Sequence, residues 1–205
     1  MRSLAIECAT EACSVALFEN GRLIAHDHRI LGRGHAEHLV PMIAALPSRG
    51  KAQRITVSLG PGSFTGVRIG IATARALGYA WDAMVLGYPT LALVAAMAIK
   101  RQEQEPQPVT VSMTGGHGQW FIQNFDQAGN AVDTLASLVP GDAALAAQYP
   151  LVAGTQAEAL VSSRGSGRPI AIHPDARYAE DLPQGTLTSK LTPIYGRDPD
   201  AKLPA

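Results

Sequence analysis

Residues 58–70 read SLGPGSFTGVRIG, a glycine-rich turn between an apolar run (Ile55 to Leu59) and a long alanine-rich segment of helical character. Backbone N–H groups exposed at such a turn, together with the dipole of the helix that follows, can hold phosphate. The loop is not a Walker A sequence, because no Lys-Ser/Thr pair follows its last glycine. Nor is it the dinucleotide fingerprint, which would need glycine at Thr65 and an acid about twenty residues further on. Two readings stand. Gly60, Pro61, Gly62, Ser63, Phe64, Thr65 and Arg68 either surround a phosphate or a partner, or they make a tight strand-to-helix turn with close packing. In both, Gly60 and Gly62 permit the turn, Pro61 stiffens it, and Ser63 or Thr65 caps the helix.

The other chemistry-bearing residues group less tightly. His26 and His28 alternate on a strand pattern and share a face. His35 and His38 share a side of a helix. Four histidines within thirteen positions are numerous enough to hold a metal, and solvated or packing histidines are the alternative. Ser63 is not at a nucleophile elbow, since Gly66 falls one residue late for Gly-x-Ser-x-Gly. No paired carboxylates stand at a useful spacing in the first half of the chain. Cys8 and Cys13 face each other if Thr10-Glu11 is a two-residue turn. A disulfide there is geometrically conceivable, but reduced, half-buried thiols are the expectation in a chain without export features.

These residues need elements to hold them. Apolar runs at 4–7 and 13–19 predict strands, and Asn20-Gly21 is a hairpin turn signal that leads into a third strand at 22–30. Leu39, Met42, Ile43 and Leu46 give residues 34–46 a helical period, with a kink or break expected at Pro41. A strand at 54–59, a helix at 64–83, a short strand at 84–88 and a helix from Thr90 to about Lys100 follow. The polar segment 100–108 reads as a linker. Beyond it come strands at 109–113 and 119–125, short helices near 142–148 and 156–163, small strands at 149–153 and 169–172, and an exposed tail from Arg197. No internal repeat of solenoid period is present. The pattern predicts an α/β protein of two lobes, 1–104 and a smaller, degenerate 105–205, with the actin-like ATPase (ribonuclease-H-like, sugar kinase and chaperone ATPase) fold. In that class an Asp, a Gly and a Thr on the first hairpin approach the nucleotide phosphates. Here Glu7, Ala9 and Thr10 stand there, so the hairpin reads as a degenerate phosphate site.

On the 64–83 helix, Gly66, Gly70, Ala74 and Gly78 recur every four residues. Glycine inside a helix costs roughly 1 kcal/mol relative to alanine, so a compensating close contact is expected. The polar stripe of Arg68, Arg75 and Asp82 is narrow, which predicts cover on two sides. The small-residue strip is therefore expected to meet a partner helix, with His35, Leu39, Met42 and Ile43 of the preceding helix in the same interface.

The stretches LAIECATEACSVAL, HAEHLVPMI and GPGSFTGVRIGIATARAL closely resemble the TsaB (YeaZ) family over roughly residues 1–100, and TPIYGR (192–197) resembles its closing segment. The resemblance implies a cytoplasmic, non-catalytic scaffold. It would serve the complex that transfers a threonylcarbamoyl group from its adenylate to adenosine 37 of tRNA. The implied partners are the catalytic paralogue TsaD and the ATPase TsaE, with a homodimer through the first-lobe helices as the alternative. It also implies no tightly bound cofactor, with ATP or ADP only at a complex interface. Three departures stand out. Glu7 replaces an Asp, Thr114 and Gly116 stand near the family's second-lobe Asp and Arg, and the loop before RITVSLG is shortened. A stand-alone ATP-binding phosphotransferase remains a rival reading, opposed by Glu7 and Ala9. So does a glycoprotease-like metallopeptidase, opposed by the missing His-x-x-x-His motif.

Composition narrows the field further. Apolar residues are 46% of the 205 and charged residues 17%, which excludes a disordered chain. The longest apolar stretch, 85–99, is interrupted at Gly87, Tyr88 and Pro89, so no membrane span is expected. Residues 1–100 carry 10 Lys and Arg against 6 Asp and Glu, a modest +4 that the second half cancels. A protein that grips RNA unaided shows a larger basic excess, so tRNA is expected only in the context of the complex.

Overall fold

Strands β1 (Arg2–Glu7), β2 (Ala12–Glu19) and β3 (Arg22–Ile30) form an antiparallel meander. Asn20 and Gly21 join β2 to β3 with φ of 52° and 77°, the left-handed pair that a tight hairpin turn demands. The chain continues through α1 (His35–Ala45), β4 (Arg54–Ser58), α2 (Phe64–Trp81), β5 (Met84–Tyr88) and α3 (Thr90–Lys100). Strand β4 pairs parallel to β1, and β5 parallel to β4, giving the order β3-β2-β1-β4-β5. Central strands β1 and β4 are buried almost throughout, as strands covered on both faces must be. A computed structural model describes residues 1–196; the expected tail from Arg197 lies outside the described residues.

The second sheet repeats the first. Strands β6 (Val109–Thr114), β7 (Trp120–Phe125) and β8 (Ala136–Leu138) are antiparallel neighbours. Helix α4 (Pro140–Ala146), β9 (Leu151–Ala153), α5 (Ala157–Arg164) and β10 (Arg168–Ile170) follow, with β9 parallel to β6 and β10 parallel to β9. The order β8-β7-β6-β9-β10 matches the first sheet strand for strand and sense for sense. This duplicated β-β-β-α-β-α-β unit is the two-lobed actin-like fold. Its second copy has much shorter parallel strands, and the three-residue β8 escapes sequence periodicity altogether.

The main core of the first lobe lies between its sheet and helices α1 and α2, around Leu4, Ile6, Leu39, Ile55 and Val57. Helix α1 continues through Pro41 as one helix, so the proline does not break it. Pro41 faces solvent while Leu39, Met42 and Ile43 on either side of it are anchored in the core. Helix α3 is apolar all round and buried from Thr90 to Ala98, which is why its sequence shows no polar face. It packs with Val109, Val111 and Phe121 of the second sheet.

After β10 the chain returns to the first lobe. Its 3-10 turn Ala176–Asp181 lays Ala176 and Ala179 on Ala5, Ala16 and Phe18 of the first sheet. Ala176 donates its N–H to Ser14 Oγ at 2.8 Å, and Arg54 pairs with Glu180. Thr188 then exchanges backbone hydrogen bonds with Gly87, and Ile194 donates to Leu59 O at 2.7 Å. Residues of the expected second unit therefore cover part of one face of the first sheet and bridge to its β5 edge.

Candidate functional site

A cavity of about 720 Å³ opens where the carboxyl ends of the central strands of the two sheets meet. Such a switch point is where open α/β sheets place ligands. From the first lobe it takes the β1–β2 turn at Ala9, Thr10 and Glu11, and the loop after β4 from Pro61 to Phe64. From the second lobe it takes the topological equivalents, the end of β6 with Gly115 and Gly116, and Thr155 after β9.

On the first-lobe side the glycine loop and the hairpin are packed backbone to backbone. Ser63 donates its N–H to Ala9 O at 2.6 Å. A Cβ on Gly62 would fall 1.9 Å from that same oxygen, and one on Gly66 would fall 2.1 Å from Cys8 O. Only glycine permits this approach. Gly60 spends its N–H on Ser58 Oγ, and Gly66 donates to Ser63 Oγ at 3.2 Å as the helix cap. Ser63 is thus the capping residue, and Thr65 lies inside α2. The amides of Gly60, Ser63 and Gly66 are thus paired within the protein.

Glu7 does not face the cavity. It is fully buried at the end of β1, with Oε1 accepting the Ala9 N–H at 2.7 Å and Oε2 without a hydrogen-bond partner. Burial pushes its carboxyl up to about 7, against the opposing pull of the Ala9 N–H and of Ser58. It braces the turn that carries Ala9 and Thr10. Tyr88, equally buried, donates to Ile6 O at 2.9 Å, and burial raises its phenol well above the ordinary range.

The polar side chains of the second-lobe wall bond one another. Thr114 N–H donates to Thr155 Oγ1 at 2.9 Å, the two hydroxyls lie 3.0 Å apart, and Gln156 Nε2 donates to Thr114 Oγ1 at 2.9 Å. Gly116 belongs to the β6–β7 turn beside them. At the rim, the Arg68 guanidinium lies 3.5 Å from the centroid of the Phe64 ring and bonds Tyr195, which in turn stacks on Phe64 at 5.5 Å. Phe64 and Arg68 are one helical turn apart, a spacing legible in sequence. Tyr195 arrives from more than a hundred residues away, and nothing in local periodicity predicts it. Glu11, Thr155 and Phe121 were likewise not anticipated as lining residues. Glu11 and Arg68 are the charged side chains of the wall among the described residues, so it holds no carboxylate pair and no nucleophile beside a base.

The small-residue strip needs correction. Gly66, Gly70, Ala74 and Gly78 are all buried against the protein's own sheet. A Cβ on Gly70 would meet Val57 and Cys8, and one on Gly78 would fall 2.4 Å from Val85 Cγ2. The strip lets the crossover helix α2 sit close on β1, β4 and β5, and this contact compensates its glycines. His35, Leu39, Met42 and Ile43 are likewise buried in α1, where a His35 ring nitrogen lies 3.3 Å from Ala12 O. None of these eight residues is free to meet a partner. The outward faces carry Val40, Ala44, Ala72, Ala76 and Tyr79 instead, with Tyr79 93% exposed.

The histidines do not converge. His26 and His38 are exposed, and His28 is half-buried with its Nε2 unpartnered. Among the described residues no three His, Cys, Asp or Glu side chains are placed to hold a metal ion, and no helix is long and apolar enough to cross a membrane.

Comparison with known proteins adds the lineage. Residues 29–176 match the family model described as TsaD: tRNA N6-adenosine threonylcarbamoyltransferase. The tRNA threonylcarbamoyladenosine biosynthesis protein TsaB of Escherichia coli is 34% identical over 147 residues, which span 68% of this chain and 63% of that protein. An uncharacterized protein of Mycobacterium tuberculosis is 32% identical over 97% of this chain and 93% of its own length. The solved structure of YeaZ from Pseudomonas aeruginosa superposes with a TM-score of 0.76 at 27% identity, covering 95% of this chain and 99% of that one.

Proposed function

The chain belongs to the TsaB (YeaZ) family, and from that premise we propose that it is a non-catalytic scaffold for threonylcarbamoyladenosine formation at position 37 of tRNA. In this reading it works in the cytoplasm with the catalytic paralogue TsaD and the ATPase TsaE. The observation that carries the proposal is the filled first-lobe hairpin. Ala9 O is bonded to Ser63 N–H and set against Gly62, and Glu7 is turned into the core. The hairpin therefore presents neither the Ala9 carbonyl nor the Glu7 carboxyl to a group in the cavity. The lining also lacks an acid–base pair, which supports a role without chemistry of its own.

The docking surface in this reading is the outward side of α1 and α2, with Tyr79 as its anchor. A tyrosine this exposed on an otherwise small-residue face suits the centre of an interface, where aromatic anchors carry much of the binding energy. The occupant is TsaD, with a second copy of this chain as the competing one. ATP or ADP binds only where the two proteins meet, and tRNA binds the assembled complex. The test is co-purification of TsaD with the wild type and with Tyr79→Glu. Retention of TsaD by the wild type and its loss from a normally folded variant is the expected result. Equal retention by both would refute the docking surface.

A further inference from the structure

Cys8 and Cys13 occupy facing positions where β1 and β2 enter their turn, and their sulfurs lie 3.5 Å apart as free thiols. Both are buried, at 1% and 0% exposure. A pair so placed needs only side-chain rotation and a closure of about 1.5 Å to reach bonding distance. The site is also wired to its surroundings. Cys8 O faces Gly66, Cys8 Cβ would be 3.5 Å from a Cβ on Gly70, and the next residue, Ala9, holds Ser63 N–H. Opening of the hairpin and release of the glycine loop are therefore one event.

We propose that Cys8 and Cys13 form a reversible redox-modification site, a dithiol that a hydroperoxide converts to an intrachain disulfide, locking the hairpin onto the glycine loop. The chemistry balances with the hydroperoxide as two-electron oxidant. One of the two sulfurs, as thiolate, attacks one oxygen of the peroxide, the O–O bond breaks, and the other oxygen leaves as hydroxide (alkoxide from an alkyl hydroperoxide), which takes up the proton the thiol gave up. The facing sulfur then displaces the oxygen now carried by the sulfenic acid, which leaves as water with the second thiol's proton, and the S–S bond forms. With hydrogen peroxide the sum is two thiols and one peroxide giving one disulfide and two waters. The two thiols share one hydrogen bond that either sulfur can donate, and the sulfur that accepts it is the one favoured as thiolate. The inference does not rest on the proposed function.

Both cysteines fall on one tryptic peptide, between Arg2 and Arg22, so the test is direct. The reduced, folded protein is treated with hydrogen peroxide, digested and weighed, and amide hydrogen exchange is followed at Ser63. The expected result is loss of two hydrogens from that peptide, reversed by dithiothreitol and absent from Cys8→Ser and Cys13→Ser. Exchange at Ser63 should slow severalfold, because its amide is freed only when Ala9 moves away. Thiols that stay free until urea is added, or that gain oxygen instead of losing hydrogen, would overturn the site. Unchanged exchange at Ser63 in the oxidised protein would overturn the link to the loop.

Discussion

Arg68 Nη2 donates a 2.9 Å hydrogen bond to the hydroxyl of Tyr195, joining the start of α2 to the closing segment across 127 positions of sequence. With the Phe64 ring beneath both, the three side chains form one rim of the interlobe cavity. Their surface placement limits their weight. A double-mutant cycle of Arg68→Ala and Tyr195→Phe, read by urea unfolding, should give a coupling of about 0.5–1 kcal/mol. A coupling near zero would mean that the rim is not a unit.

Glu7 predicts an unusual pH dependence. Its carboxyl rises from 4.5 to about 7 in the folded protein. Between those values the folded state keeps a proton that the unfolded state has lost, so stability is highest at the acid end and falls as pH rises to about 7. A shift of this size corresponds to roughly 3 kcal/mol. Glu7→Gln should flatten that slope and raise stability near pH 8 by about 1–3 kcal/mol, measured as urea midpoints at about pH 5 and about pH 8. A wild-type midpoint that climbs with pH, unaffected by the substitution, would contradict the assignment.

Two glycines on the same strip of α2 should behave in opposite ways. An added Cβ at Gly70 meets Val57 and Cys8 at 3.4 and 3.5 Å, an ordinary contact. Gly70→Ala should therefore be neutral or stabilising by up to about 1 kcal/mol through helix propensity. At Gly66 the Cβ would strike the Cys8 carbonyl oxygen at 2.1 Å, so Gly66→Ala should cost about 3 kcal/mol or more. Thermal unfolding of the two variants decides. Equal behaviour would mean that α2 does not sit on the sheet as described.

The isolated chain should bind tRNA weakly and lose it with added salt. Its formal charge is zero, and aromatic residues are only 5%, leaving little for phosphate neutralisation or base stacking. Filter binding across a salt series checks this, and tight binding that persists at high salt would contradict it.

Much of this architecture was legible in the sequence because it rests on local signals. Apolar runs marked β1 and β2, Asn20-Gly21 marked the turn, and the glycine loop marked the crossover into α2. The lobes' common topology was not legible in detail, because β8, the third strand of the second copy, is three residues long and carries no period. The partner strip failed for a physical reason: spacing identifies a small-residue face but not which surface covers it. Close approach to the protein's own sheet and to a foreign helix demand the same glycines. The cavity rim was half visible, in Phe64 and Arg68 one turn apart, while Tyr195 required the tertiary fold.

The central claim is that this chain enables a modification it does not itself catalyse. The most direct measurement is threonylcarbamoyladenosine formation on tRNA, supplied with TsaD, TsaE, ATP and the threonylcarbamoyl-adenylate donor, with and without this protein, and with this protein alone. Product is expected only when TsaD and this chain are both present, with no ATP turnover by the chain alone. Undiminished product without it, or robust ATP turnover by the pure chain that Glu7→Ala abolishes, would contradict the account.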